Sequence, residues 1–295
     1  MRRPHPRQVY LLLVGILVGL TGLMRAETAG AAGSTVGDRP RFLEVHAHRG
    51  GAGLAPENTL AAFRKALELG VDVLEMDMHV SRDGEIVIIH DDTLDRTTDG
   101  RGPVGGFSVA ELKQRDAGSR FSPQYKGEPI PTLREVIALV QSSGNDRVRM
   151  NIETKFAKGQ EGRPADFEER VVAILRETRF VQRVIIQSFY HPSLAKMKTL
   201  EPSIKTALLV GGRQAPRDPV GLVQQYQADY YSPDFRQLTA DTVAALHKEA
   251  IAVVPWTVNE EADVRHLLDT GVGRLAGDGI ITNYPDRVLT LLKAR

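Results

Sequence analysis

Apolar residues recur along this chain in two alternating rhythms. Short runs of apolar and β-branched positions, at 42–46, 73–80, 86–90, 148–153, 184–188, 204–210, 230–232, 251–256 and 280–282, read as strands. Between most of them lie stretches with helical spacing of apolar residues, such as "NTLAAFRKALELG", "TLREVIALVQSSG", "ADFEERVVAILRET" and "TADTVAALHKEA". Asn58, Thr132 and Thr239 are the expected N-caps, and Gly70 and Gly144 the expected stops. A βα alternation repeated about eight times in ~250 residues predicts an α/β fold, a (β/α)8 barrel of the TIM type, with an open doubly wound sheet as the competing arrangement.

Two irregularities shape that expectation. The strand-like runs number nine, and only "SRDGE" separates the second from the third, which leaves no room for a helix. One run is therefore a short accessory or part of a bent barrel strand, and the barrel is expected to be somewhat distorted. Residues 91–131, rich in Gly, Pro and charge with one weak helical piece at "SVAELKQRD", read as an insertion after the third strand that lies over one mouth of the barrel.

Strand periodicity then sorts the polar positions. Glu75, Asp77 and His79 share one face of the second run, while Leu74, Met76 and Met78 share the other. Glu153 and Lys155 stand together at the end of "MNIETK", His90 ends "EIVIIHDD", and "EVHAHRGG" ends the first run on His48 and Arg49. Four strands thus finish in titratable or charged residues, and barrel enzymes draw their chemistry from the C-terminal ends of several strands. His46 shares parity with His48 but is assigned a supporting or packing role, and His79, His191, His247 and His266 are taken as structural or exposed.

Composition narrows the chemistry. The 295 residues carry 38 Lys+Arg against 37 Asp+Glu with no basic run in the body, so nothing suggests a nucleic-acid partner. Cysteine is absent, which excludes disulfides, thiolate catalysis and thiolate-bound metals. Glu75, Asp77 and Glu153 therefore suggest one hard divalent cation, Mg²⁺ or Ca²⁺. His48 and His90 suit a general acid and a general base, in either order, and Arg49 and Lys155 suit an anion such as a phosphate. Cation, acid, base and phosphate clamp together describe phosphodiester cleavage.

The N-terminus is separate from the fold. "MRRPHPR" gives way to an apolar stretch at 9–23 and then to the small residues of "AETAGAAGSTVG", the order of a secretory signal. Residues 1–33 are accordingly expected to direct export to the periplasm or outside the cell, with an uncleaved anchor as the alternative; the catalytic domain is assigned to 42–295.

With those residues in view, the chain resembles the glycerophosphodiester phosphodiesterase family, a branch of the phospholipase C-like phosphodiesterases. The resemblance rests on an ordered set: "HRG" at 48–50, "PENT" at 56–59, "EMD" at 75–77, "SRDGEIVIIHDDTLDRTTDG" at 81–100, "IETK" at 152–155, "QSF" at 187–189, "WTVN" at 256–259 and "DGIITNYP" at 278–285. It implies hydrolysis of a small-molecule glycerophosphodiester to sn-glycerol 3-phosphate and an alcohol, with no obligate protein partner. Residue by residue it implies His48 and His90 as the acid/base pair, Glu75, Asp77 and Glu153 as metal ligands, and Arg49 and Lys155 as phosphate contacts. Glu57 and Asn58 match a motif beside the site, and Trp256 matches a residue lining the substrate pocket. Two departures, Met76 and an Asn283 where the family has Asp, fall on no proposed ligand. The competing activities are a phospholipase D-like or lysophospholipid-cleaving phosphodiesterase and, from another class, a catalytically silent exported binding protein; the five key residues are all present, against the latter.

Overall fold

The computed structural model describes residues 42–155, 164–212 and 215–294; the segment read as an export signal lies outside the described residues. The nine strand-like runs all form strands: β1 (Glu44–Ala47), β2 (Val73–Val80), β3 (Ile86–Ile88), β4 (Arg149–Thr154), β5 (Val184–Ser188), β6 (Lys205–Val210), β7 (Tyr230–Pro233), β8 (Ala252–Val253) and β9 (Gly279–Thr282). Eight of them run parallel in the order β8-β7-β6-β5-β4-β2-β1-β9. Beyond the short β8, the amide of Ile281 donates to the Pro255 carbonyl at 3.0 Å and that of Val258 to the Ile281 carbonyl at 2.9 Å. These bonds draw the two ends together into a nearly closed barrel, and the open-sheet alternative is set aside.

The ninth strand is the accessory. β3 pairs antiparallel with β2, His79 facing Val87, because five residues allow a hairpin return and not a helical crossover. The chain that follows, from Val87 to Ile130, gathers its own apolar cluster of Val87, Ile89, Leu94, Val104, Leu112, Ala117 and Ile130. Its one α-helix is the short α2 (Val109–Leu112), started by a capping box between Ser108 and Glu111.

The remaining helices, α1 (Leu60–Leu69), α3 (Leu133–Ser142), α4 (Phe167–Glu177), α5 (His191–Leu200), α6 (Pro219–Gln225), α7 (Ala240–Lys248), α8 (Glu261–Thr270) and α9 (Pro285–Lys293), alternate with the parallel strands. Their apolar stripes pack on the outer face of the sheet, where Leu74, Met76 and Met78 of β2 are fully buried. Burying each such side chain is worth about 1.5–3 kcal/mol, which holds β2 in the parity that turns Glu75 and Asp77 inward. A second cluster, Ile185, Ala207, Tyr230, Ala252, Val254 and Ile281, groups side chains of β5, β6, β7 and β9 with those of β8 and the residue after it.

Three of the five expected caps and stops hold as read, and two shift by one residue. Thr132 and Thr239 accept from backbone amides of α3 and α7, and Gly70 closes α1 at φ 79°. For α1, however, the cap is Thr59, whose hydroxyl accepts from Ala62 N at 3.2 Å. Asn58, expected there, stands one residue earlier at φ 58° with its side chain turned towards β2. At α3, Ser143 is the cap and Gly144 follows it.

Candidate active site

The strand register assembles the site's floor. On adjacent strands Asp77 lies opposite Glu153, and Glu153 opposite Gln187, so one row across β2, β4 and β5 carries two carboxylates and an amide. Glu75 lies one inward-facing position earlier on β2, and candidate ligand oxygens of Glu75, Asp77 and Glu153 fall within 4.8 Å of one another. All three residues are buried.

Each carboxylate is held by specific neighbours. Glu75 accepts from Arg49 N at 2.8 Å and from Gln187 Nε2 at 2.7 Å, while Asn151 Nδ2 donates to Gln187 Oε1 at 2.9 Å behind it. Asn58 grips Asp77 twice, donating Nδ2 to Oδ2 at 2.8 Å and accepting from the Asp77 amide at 3.3 Å. Lys155 Nζ reaches Glu153 Oε1 at 2.7 Å and Asp77 Oδ1 at 3.2 Å.

Burial and mutual repulsion oppose joint ionisation of the three acids in this setting. Burial, with the Asp77 charge behind it, pushes Glu75 well above the usual carboxylate range. Burial likewise lifts Glu153 to about 7, with Lys155 opposing and Asp77 adding to it. Asp77 is also buried, yet Lys155 and Arg49 outweigh that and hold it well below the usual range. An all-oxygen trio crowded and underneutralised in this way fits a hard divalent cation.

The histidines come from the loops above. After β1 the chain turns sharply: Arg49 sits at φ 53° and Gly50 at φ 80°, where an added Cβ would lie 2.8 Å from that of Ala62 on α1. The turn points His48 into the cleft, with Nδ1 2.6 Å from Asn283 Oδ1 and Nε2 3.9 Å from Glu75 Oε2. Burial, reinforced by Arg49, pushes the His48 imidazole down to about 4. His90, just past β3, has Nδ1 2.6 Å from Asp91 Oδ1. Its imidazole is also lowered by burial, though Asp77 pulls the other way.

One cleft brings His48, Arg49, Glu75, His90, Glu153, Lys155 and Trp256 together, joined by Gln187, Phe189 and Leu209. Trp256 is oriented by its Nε1 donating to the Ser232 carbonyl at 2.9 Å, and its ring meets that of Phe189 edge-on, 5.5 Å between centroids. Glu57 and Asn58 stand beside the cleft: Glu57 Oε1 accepts from Arg49 Nη1 at 2.9 Å, and Asn58 holds Asp77. All ten residues named from the sequence therefore converge on one mouth. His79 is not among them; its Nε2 lies 3.0 Å from the His90 carbonyl, a structural contact.

Four contributors were not singled out on sequence grounds. Gln187 had a signal, a polar residue on the inward parity of the apolar run "VIIQS". Asp91 and Arg96 lie in a Gly- and charge-rich loop without periodicity. Asn283 counts in the sequence only as a mild departure from the family; it falls on no proposed metal ligand but is the hydrogen-bond partner of His48, 235 residues away in sequence.

Comparison with known proteins gives the same reading. Residues 48–287 match the model of the glycerophosphoryl diester phosphodiesterase family. A glycerophosphodiester phosphodiesterase of Caldanaerobacter subterraneus subsp. tengcongensis is 37% identical over 249 residues, 84% of this chain and 97% of the relative. One from Bacillus subtilis is 33% identical over 292 residues, covering 94% and 95% of the two chains. Among solved structures, an Oleispira antarctica phosphodiesterase in complex with the product sn-glycerol-3-phosphate superposes with a TM-score of 0.76 at 30% identity, covering 85% of this chain and 97% of that one. The chain belongs to the glycerophosphoryl diester phosphodiesterase family.

Proposed function

We propose that this enzyme hydrolyses small glycerophosphodiesters to sn-glycerol 3-phosphate and an alcohol, with one divalent cation, Mg²⁺ or Ca²⁺, and two histidines as base and acid. The observation that carries the reading is the convergence, in one cleft, of two imidazoles each held through Nδ1, three crowded carboxylates, and Arg49 and Lys155. Glu75, Asp77 and Glu153 would hold the cation, which when bound supplies positive charge against the negative charge developing on phosphoryl oxygens.

The partners of the two histidines differ, and that difference supports separate roles for them. His48 faces a neutral amide, Asn283 Oδ1, so Nδ1 carries the hydrogen and the Nε2 lone pair takes a proton from the attacking hydroxyl. His90 faces a carboxylate, Asp91, which works against the lowering by burial and holds the ring through Nδ1, so His90 Nε2 is aimed to give its proton to the leaving alkoxide. Arg49 and Lys155 hold the phosphate oxygens, and Phe189 with Trp256 forms an apolar wall beside them.

The wild-type protein is expected to release sn-glycerol 3-phosphate from glycerophosphocholine with Mg²⁺ or Ca²⁺ and to stop in chelator. His48→Ala and His90→Ala should each slow turnover by about a hundredfold or more. Undiminished turnover in both variants would overturn the mechanism. The basic, apolar and small-residue order of residues 1–33 supports export, which the N-terminus of protein recovered outside the cytoplasm would test.

A further inference from the structure

The segment that follows β3 does more than border the cleft. Arg96, in the loop after His90, spans two carboxylates that belong to different parts of the site. Its Nε donates to Asp91 Oδ2 at 2.7 Å and its Nη2 to Asp91 Oδ1 at 2.9 Å. On the other side, Nη1 donates to Glu57 Oε2 at 2.8 Å and Nη2 to Glu57 Oε1 at 2.7 Å. One guanidinium thus makes a two-point contact with each acid. The fixed plane of its donors matches both carboxylates at once, which a lysine, as a point charge, could not do.

Each of those acids has a second duty. Asp91 Oδ1 is also the oxygen 2.6 Å from His90 Nδ1, and Glu57 Oε1 also accepts from Arg49 Nη1 at 2.9 Å. The contacts form one chain, His90 to Asp91 to Arg96 to Glu57 to Arg49, and Arg49 Nε in turn lies 3.4 Å from Asp77 Oδ2. Arg96 is the member of this chain that contacts neither His90 nor Arg49 directly. With its side chain 47% exposed, its charge alone would contribute little to stability. What its geometry supplies is orientation: without it, Asp91 and Glu57 lose the contact that fixes the rotamer of each.

We propose that Arg96 is a positioning residue that couples the acid/base histidine to the phosphate clamp, setting His90 through Asp91 and Arg49 through Glu57. The inference rests on the roles of His90 and Arg49 given above and extends them to a side chain of the loop that follows β3. It predicts a division of labour among three substitutions. Asp91→Asn should lower kcat with little change in KM, because it disturbs the proton donor; Glu57→Gln should raise KM, because it loosens the arginine that holds the phosphate; Arg96→Gln should do both.

The experiment is a pair of double-mutant cycles on the full chain with glycerophosphocholine. Outer partners of this kind typically contribute 10- to 100-fold, so Arg96→Gln is expected to lower kcat/KM by about tenfold or more. In the Asp91→Asn background it should lower kcat no further, and in the Glu57→Gln background it should raise KM no further. Arg96→Gln kinetics within twofold of wild type, or losses that multiply in the double variants, would overturn the proposal. Should Arg96→Gln fail to fold by near-ultraviolet circular dichroism, Arg96→Lys, which retains the charge and loses the fork, carries the same cycles and the same expected outcome. A readout independent of turnover is the proton resonance of the His90 Nδ1–H, which should move on Arg96 substitution; if it does not, the coupling is absent. A wild-type protein inert towards glycerophosphodiesters, with that resonance still responding to Arg96, would sink the phosphodiesterase reading and leave the coupling standing.

Discussion

The same strands carry two polar clusters, one near each end of the barrel, and they are built to opposite rules. Near the N-terminal end, Glu44 of β1 pairs with Arg149 of β4, Arg149 Nη1 also lies 3.4 Å from Tyr230 Oη, and the buried His46 sits 3.6 Å from Glu44. At the C-terminal end the same two strands lead to His48, Arg49, Glu153 and Lys155. The first cluster is balanced: one acid, one base and a histidine kept neutral by burial. The second holds three acids against Lys155 and Arg49, and that imbalance lifts Glu75 and Glu153. A balanced cluster holds elements together; an underneutralised one stores a demand for a cation.

The largest effect that would test this contrast is at Glu153. Glu153→Gln should weaken cation binding by at least about tenfold in calorimetric titration and lower turnover with it. In chelator its effect on stability should be the reverse of a loss. A carboxyl whose folded-state value is raised to about 7 contributes stability at low pH, and that contribution is lost as pH rises through 7. The variant should therefore melt higher than wild type at pH 8 without cation; a lower melting temperature there would remove the imbalance argument.

Glu44→Gln is expected to behave in the opposite way. It leaves Arg149 without its carboxylate and should cost about 1–2 kcal/mol of stability, seen as a lower melting temperature, with kcat within twofold of wild type. A loss of turnover at full stability would mean that the N-terminal cluster takes part in the chemistry.

The smallest effect is the pH slope from His46. Burial lowers its folded-state value below 6.5, so the native state binds fewer protons than the unfolded chain, and stability falls as pH drops below 6.5. His46→Gln should flatten the change in melting temperature between pH 7.5 and 5.5, and an unchanged slope would assign that pH dependence elsewhere.

Parity alone does not separate these clusters, since Glu44, His46 and His48 are spaced two apart in the sequence. Position along the strand does, because backbone loops capable of turning a side chain over a ligand follow the C-terminal ends. Asn58 shows the same limit: as a residue type before a helix it reads as a cap, yet Thr59 takes that duty and Asn58 orients Asp77.

Legible in the sequence are the strand and helix order, the inward face of β2, the accessory nature of one run, and the ten residues that gather in and beside the cleft. Those follow from period-2 and period-3.6 patterning and from an ordered set of local motifs, information that short stretches carry. Tertiary structure alone decided the partnerships: Asn283 with His48, Gln187 with Glu75, and Arg96 between Asp91 and Glu57. Each joins residues whose types are unremarkable in sequence, and the first two lie more than 100 positions apart. Barrel closure and strand register bring those two pairs within hydrogen-bonding distance, and neither is written in the local pattern of either partner.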